Sequence, residues 1–519
     1  MSLLNLTPRD YQKAIFKTTM GANTLVVLPT GLGKTLIALM LVVERQKAFP
    51  GSKALFLAPT RPLVEQHLNY FKKNLPELFA TLEIFTGSVD AEKRRKLFQR
   101  ADIIFSTPQC IANDLKSCLY SLDEVSLIII DEAHRCLKNY SYTYVVNKYK
   151  EQAKNQRILG LTASPGSDSE IVREICRHLD IKEIELRTRD SADVAHYLQN
   201  LDFTKTEVDF PKEFLEIKVL LQRIFDGCVD KLRSRNLLFG VANKIILLKL
   251  QGNLFSRMQQ KDFNALIGVS LTAQAIKISH ALELLETQTL SGLSEYLNSL
   301  IKQAEEKKSK AVVNLVNSGE FKAALLSLKR LQERGIEHPK INALYELINS
   351  ELKENKNAKF IVFTQFRETA STIYLNLSRM ENARPSVFVG QAKKTNSSGS
   401  KTSGLNQKEQ KEIIEKFKSG DVNILIATSI GEEGLDIPEV SAVIFYEPIP
   451  SAIRKIQRAG RTARLAPGKL FILITKDTRD VAHHYASAAR ERKMHRTIGQ
   501  IKDELKTQNK TKTLDYFRS

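Results

Sequence analysis

The chain has 519 residues, of which 42% are hydrophobic and 26% charged. These proportions belong to soluble globular proteins and exclude a mostly disordered or collagen-like chain; the length predicts roughly three domains. The 78 basic and 58 acidic residues leave a net charge of +20, which points to a polyanionic partner, with a solubilising surface as the plainer alternative.

The N-terminus, MSLLNLTPRDYQ, lacks the basic-then-apolar layout of a secretory leader. The apolar run Leu36–Val43 is far shorter than the ~20 residues that span a bilayer. With no lipidation motif or basic amphipathic anchor, nucleic acid is favoured over a membrane. Cys110, Cys118, Cys136, Cys176 and Cys228 are scattered, with no C-x-x-C pair. They are expected as reduced core thiols of an intracellular protein, in cytoplasm or nucleoid.

Residues 1–200 alternate short apolar runs with helical patterns. NTLVVLP (23–29), KALFLAP (53–59), TLEIFTG (81–87), ADIIFST (101–107), SLIIIDE (126–132) and RILGLTAS (157–164) each end in a turn or polar signal. Nearly continuous apolar strands between helices predict a parallel α/β sheet covered on both faces. Over 201–340, strand-like runs disappear from about 205 and apolar residues recur at helical spacing, as in 214–232, which predicts a separate all-helical domain. Its segment Arg223–Lys261 holds eight basic and two acidic residues; a cationic face and an ordinary solvated face both fit. The α/β pattern resumes over 341–480, with strands expected at 359–366, 385–390, 422–429, 442–447 and 469–475, and a polar, Gly/Ser-rich mobile loop at 391–406. Residues 481–519 read as a basic helix and a polar tail.

PTGLGKT (29–35) follows a predicted strand and precedes a helix, the context of a phosphate-binding loop. Thr30 lies within it. Gly31 and Gly33 let backbone N–H groups approach phosphate oxygens, Lys34 supplies positive charge, and the Thr35 hydroxyl suits Mg²⁺. Leu28 stands where the full G-x-x-x-x-G-K-T form has its first glycine. IIIDEAH (128–134) ends a further apolar run. Asp131 is placed to hold Mg²⁺ through water, and Glu132 to orient an attacking water. Phosphoryl transfer needs such positioning and charge neutralisation more than covalent help. The second α/β unit has no phosphate loop but offers Arg458, Arg461 and Arg464 in IQRAGRTAR (456–464). Closing a cleft between two lobes would bring these guanidinium groups to the γ-phosphate; a basic surface loop is the plain alternative.

The ordered set PTGLGKT, APTRPL (58–63), FTG (85–87), STPQ (106–109), DEAH (131–134), TAS (162–164), FTQFR (363–367), ATSIGEEGLDIP (427–438) and QRAGRTAR (457–464) resembles the superfamily-two helicases. RDYQ (9–12), DEAHR, the phrase VIFYEPIPSAIRKIQRAGRTAR and the helical insertion resemble most the archaeal Hef / Fanconi anaemia M-type branch. The resemblance covers nearly the whole chain; it departs at Ala463, where such helicases usually carry a glycine.

That resemblance implies two RecA-like parallel-sheet domains with an all-helical domain inserted between them, ATP and Mg²⁺ as ligands, and 3′-to-5′ movement on single-stranded, forked and junction DNA. It implies that Arg9 and Gln12 read the adenine, and that His134, Thr162 and Ser164 couple hydrolysis to the inter-lobe contacts. Gly434 and Asp436 would approach the nucleotide from the second lobe, and Gln457, Arg461 and Arg464 would complete the catalytic set. Pro59, Thr60, Arg61, Thr86, Gly87, Thr107 and Pro108 would grip the strand on the first lobe. Thr364, Gln365, Gly390, Gln391, Thr428 and Ser429 would grip it on the second. Small and hydroxylic residues at strand ends suit phosphate and sugar contacts.

ERK (491–493) resembles the core of the nuclease motif of longer relatives, but MHRT follows it, without the acidic residue that motif needs; it reads as ordinary basic helix. The end, TKTLDYFRS (511–519), resembles a sliding-clamp-binding peptide through Leu514, Tyr516 and Phe517, with Thr511 in place of the usual leading glutamine; a frayed terminus fits equally. His483–His484 has no further nearby ligand for a metal site. Two rival functions stand beside a DNA helicase: a double-stranded-RNA-dependent ATPase of the RIG-I-like or Dicer-helicase type, and a non-catalytic nucleic-acid-binding scaffold.

Overall fold

The computed structural model describes residues 6–138, 140–197, 201–258, 262–390, 394–395, 401–402, 405–428, 438–449 and 468–518. Seven strands form the first sheet: Thr24–Val27 (β1), Lys53–Leu57 (β2), Leu82–Phe85 (β3), Ile103–Ser106 (β4), Val125–Ile130 (β5), Ile158–Thr162 (β6) and Glu183–Leu186 (β7). Their order is β3-β4-β2-β5-β6-β1-β7, and every pairing is parallel. Successive side chains of β1, β2 and β5 leave opposite faces. Leu25, Val27, Leu55, Leu57, Ile128 and Ile130 pack on one side; Val26, Phe56, Leu127 and Ile129 pack on the other. Each such side chain, fully buried, contributes about 2 kcal/mol. All seven strands point the same way. Their C-terminal ends therefore deliver the phosphate loop, APTR, FTG, STP, DEAH and TAS to one edge, where open parallel sheets bind ligands.

The second sheet contains Leu201–Val208 (β8), Phe360–Phe363 (β9), Pro385–Phe388 (β10), Ile424–Ala427 (β13), Ala442–Phe445 (β14) and Gly468–Thr475 (β15). Its order is β10-β13-β9-β14-β15-β8, again all parallel. Lys394–Thr395 (β11) and Lys401–Thr402 (β12) make a short antiparallel pair within the segment expected as a loop. The expected helical domain over 201–340 needs correction at its start. β8 pairs with β15 along eight residues, Leu201 opposite Gly468 through Val208 opposite Thr475. Its sequence LDFTKTEV alternates charged and hydroxylic residues, as a solvated edge strand does, so it lacks the apolar run that marks the buried strands.

The helical body follows, from Leu215–Ser234 to Gly319–Glu333. Helix Phe263–Thr287 is its centre. Ile278, Leu282 and Leu285 pack with Ile217 and Leu221, while Ala265, Leu271 and Ala275 pack with Val229, Leu232, Leu247 and Leu254. By length and composition this helix is long and apolar enough to cross a membrane, with a mean hydropathy of 1.3 over 18 residues, half of them buried inside the protein. Its uncharged stretch, residues 263–276, lies within the region expected to be helical, and Lys277, His280, Glu283 and Glu286 follow it. Helix Pro339–Glu354 packs instead into the second lobe, through Ile341, Leu344, Ile348 and Leu352.

A buried polar joint fastens the helical body to the second lobe. The Lys340 ammonium is ion-paired with Asp480, both side chains fully buried, and donates to the Thr287 carbonyl at 3.1 Å. His338 Nε2 lies 3.3 Å from the Glu286 carbonyl, and Thr369 donates to Gln288 Oε1 at 2.9 Å. The segment 481–519, expected as a basic helix and tail, is helical from Arg479 to Arg518. It returns to the first lobe, where Met494, Ile498 and Ile501 join the core beside Val172, Ile175 and Ile184. Arg173 clamps both Glu504 oxygens, at 3.0 and 3.3 Å. Side chains from 508 onward lie outside the described residues.

Candidate active site

The chain leaves β1 through Leu28, whose N–H donates to the Thr162 carbonyl at 3.0 Å and whose side chain is fully buried. The position that departs from the glycine pattern is thus core. Gly31 and Gly33 have φ of 86° and 74°, the left-handed region glycine tolerates. A Cβ on Gly33 would also stand 2.3 Å from Gln12 Nε2. Helix Lys34–Ala48 starts there, and the unbonded N–H groups of a first helical turn favour anions. Lys34 Nζ donates to the carbonyls of Leu28 at 2.7 Å and Pro29 at 3.4 Å. Thr30 Oγ1 is buried and makes no hydrogen bond among the described residues.

Gln12 is buried. Its amide donates to the Leu32 carbonyl at 3.2 Å and its oxygen accepts from Arg9 N–H at 2.9 Å; the Tyr11 hydroxyl donates to the same Leu32 carbonyl at 2.8 Å. The residue expected to read a base therefore also props the phosphate loop, with one amide hydrogen and one lone pair to spare. Arg9 lies over the Tyr197 ring, 5.2 Å from its centroid. Sequence reasoning gave no signal for Tyr197.

Asp131 ends β5, its N–H bonded to the Leu57 carbonyl at 2.9 Å. Its Oδ2 meets His67 Nε2 at 2.8 Å. Burial alone would raise this carboxyl, but His67 and Lys34 outweigh it and hold it below the usual carboxylate range. His67 was missed by sequence reasoning. It shares the buried face of helix Arg61–Asn74 with Val64, Leu68 and Phe71, and only the adjacency of β2 and β5 brings it to Asp131. Glu132 adopts φ 50°, a left-handed strain for a non-glycine residue. Its Oε2 lies 3.2 Å from His134 Nδ1, and that imidazole nitrogen is 3.2 Å from Thr162 Oγ1. Thr162 Oγ1 accepts from Ser164 N–H at 3.1 Å, and Ser164 Oγ touches Met494 of the C-terminal helix. A run of contacts thus leads from the Glu132 carboxylate through His134, Thr162 and Ser164 to the helix that follows the last strand of the second lobe. Ionised Asp131 and the half-buried Thr35 hydroxyl, in the first turn of helix Lys34–Ala48, are hard oxygen donors of the kind Mg²⁺ takes.

The described strand-contact candidates follow the C-terminal ends of their strands in each sheet. Pro59, Thr60 and Arg61 follow β2; Thr86 and Gly87 follow β3; Thr107 caps helix Pro108–Lys116 after β4. Thr86 is buried, its hydroxyl 2.8 Å from Ser88 Oγ, whereas Gly87 is open. Arg61 is tied to Glu65 at 2.8 Å, and Glu65 reaches Lys411 of the second lobe at 3.3 Å. Gln365 is exposed beyond β9. Thr364 turns inward, donating to Glu447 at 3.3 Å, and Thr428 is buried, so either would meet a strand chiefly through its backbone. The Gly390 carbonyl accepts from Arg367 at 2.8 Å. Gln391, Ser429, Gly434, Asp436, Gln457, Arg458, Arg461 and Arg464 lie outside the described residues.

Residues 9–172 match the family described as DEAD/DEAH box helicase and residues 339–466 the helicase conserved C-terminal domain. Residues 213–335 match a family described as "Putative ATP-dependent RNA helicase, helical bundle". The chain is 36% identical over 95% of its length to a Methanocaldococcus jannaschii protein named "Putative ATP-dependent RNA helicase MJ1505". It is 32% identical to the ATP-dependent DNA helicase fml1 of Schizosaccharomyces pombe and 34% identical to mph1 of Neurospora crassa, each over 91% of its length. It spans 61%, 57% and 41% of the lengths of these three relatives. The crystal structure of the Pyrococcus furiosus Hef helicase domain is 41% identical, with a TM-score of 0.70, covering 92% of this chain and 98% of that one. The chain belongs to the superfamily-two helicases, in the branch that holds the Hef helicase domain and the Mph1 and Fml1 helicases.

Proposed function

We propose that this chain is the motor of an ATP-dependent DNA helicase or translocase that moves 3′ to 5′ on forked and branched DNA, in replication-fork repair and remodelling. The observation that carries the reading is the convergence, at one sheet edge, of the Gly31–Thr35 loop, the His67-held Asp131 and the Glu132–His134–Thr162 chain. Two relatives named as DNA helicases support DNA as the track.

Bound Mg²⁺ would neutralise charge on the transferring phosphoryl group, with Thr35 and Asp131 holding it. Lys34 leaves its loop carbonyls to contact the phosphates. Glu132, aimed by His134, orients the attacking water, and Gln457, Arg461 and Arg464 of the closing lobe stabilise the transition state, as Gly434 and Asp436 contact the nucleotide. Alternate opening and closing moves the two strand grips relative to each other. The basic helical body lies beside this track and contacts the duplex arm. The 511–519 segment, with Leu514, Tyr516 and Phe517, is proposed as a sliding-clamp ligand; a pull-down that survives combined Leu514→Ala and Phe517→Ala substitution would refute it.

A second reading is a duplex-RNA-dependent ATPase, favoured by the word RNA in two of the matched names. Steady-state ATPase measured with single-stranded DNA, forks, four-way junctions and duplex RNA at matched salt separates the two. Strongest stimulation by forks or junctions supports the DNA reading. Strongest stimulation by duplex RNA overturns it, and no stimulation by any of them returns the scaffold alternative.

A further inference from the structure

The turn between helices Leu215–Ser234 and Lys244–Met258 is a built one. Leu237 and Leu238 are buried anchors, packed with Leu232, Leu247, Leu254 and Ala265. Asn236 and Gly240 take φ of 53° and 75°. The Arg233 guanidinium donates to the Gly240 carbonyl at 3.1 Å, and Asn264 donates to the Arg235 carbonyl at 3.3 Å. Between these ties two apolar side chains face solvent: Phe239 is 76% exposed and Val241 73%. Phe239 makes no ring contact among the described residues.

The surroundings say what suits this surface. Residues 231–261 contain seven basic residues and no acidic one; Arg233, Lys244 and Arg257 among them pair with Asp230, Glu283 and Asp262. Among the described residues, no ion pair engages Lys231, Arg235 or Lys249. An aromatic face held out by a rigid turn amid cations suits a nucleobase whose backbone phosphates meet those cations. A protein partner would have to bring an acidic rim to the same place.

Resting on the DNA reading above, we propose that Phe239, backed by Val241, is a stacking prong that receives an unpaired base at the branch point of forked DNA. The helical body would then sense the junction by base stacking in addition to charge.

The test uses the full chain with forked DNA carrying 2-aminopurine next to the branch point. Wild type is expected to change the 2-aminopurine fluorescence on binding. Phe239→Ala is expected to lose most of that change and to bind the fork roughly 10-fold more weakly, with affinity for plain duplex unchanged. Phe239→Trp is expected to restore both. An unaltered melting temperature and single-strand-stimulated ATPase in Phe239→Ala would show that the fold and the motor are intact. Wild-type fork affinity and fluorescence in Phe239→Ala would overturn the prong, and so would loss of a protein partner with fork binding untouched. Failure of wild type to bind DNA at all would instead remove the functional reading beneath it.

Discussion

His67 Nε2 and Asp131 Oδ2 lie 2.8 Å apart, both side chains nearly buried, so helix Arg61–Asn74 holds the carboxylate at the end of β5. Tyr142 completes the mount, its hydroxyl donating to the Asp131 carbonyl at 2.7 Å. Groups that orient a metal-facing carboxylate typically matter 10–100-fold. His67→Ala is therefore expected to lower ATP turnover by roughly 10–100-fold and to raise the Mg²⁺ concentration needed for half-maximal rate. His67→Gln, which can still donate a hydrogen bond, is expected to recover part of both. A Mg²⁺ titration of ATPase activity reads the outcome, and an unchanged half-saturation point in His67→Ala would refute the mounting role.

Lys34 Nζ donates to the Leu28 and Pro29 carbonyls in the loop. Its removal takes a full charge from the proposed phosphate site, an effect on the order of 100-fold or more on turnover. Lys34→Ala is expected to abolish measurable phosphate release, with affinity for single-stranded DNA within about twofold of wild type. Retained turnover would displace the nucleotide site from this loop.

The Lys340–Asp480 pair is fully buried, and removing one partner leaves the other charge uncompensated, at a cost of about 3–5 kcal/mol. Lys340→Met is expected to lower the melting temperature sharply. The combined Lys340→Met and Asp480→Leu protein is expected to recover most of the loss, because an apolar pair replaces an ion pair with little net change. Differential scanning calorimetry distinguishes these results from simple additivity.

The same joint makes stability depend on pH. His338 is fully buried; burial first, and the Lys340 charge second, hold its imidazole down at about 3 against an ordinary 6.5. Below 6.5 the unfolded chain takes up a proton that the folded chain refuses. The contribution is thus whole above about pH 6.5 and is lost as the pH falls towards about 3, the loss amounting to about 2 kcal/mol at pH 5. His338→Asn is expected to flatten this part of the stability profile, measured by urea unfolding between pH 7 and pH 5. A slope unchanged by the substitution would contradict the assignment.

The sequence revealed the elements whose burial makes them nearly continuous apolar runs: β1, β2, β4, β5 and β6 read directly as strands. The edge strands β3 and β10 were also read, from TLEIFTG and PSVFVG, whereas the edge strands β7 (EIEL) and β8 (LDFTKTEV) were not, because charged and hydroxylic residues break up their apolar pattern. The phosphate loop and DEAH were legible because their chemistry is local in sequence. His67 was not, since 64 residues separate it from Asp131 and only the strand order brings them together. Met494, Ile498 and Ile501 look like the apolar side of any surface helix. Their destination in the first-lobe core depends on where the chain travels after β15.

The centre built on Lys34, Asp131 and Glu132 is tested most directly by phosphate release on forked DNA with wild type and Glu132→Gln, together with nucleotide affinity for both. Glu132→Gln keeps the shape of the side chain while losing the carboxylate proposed to orient water. The reading requires fork-stimulated turnover in wild type, and a fall of roughly 100-fold or more in Glu132→Gln with nucleotide affinity retained. Turnover in Glu132→Gln that matched wild type on the same fork would contradict it.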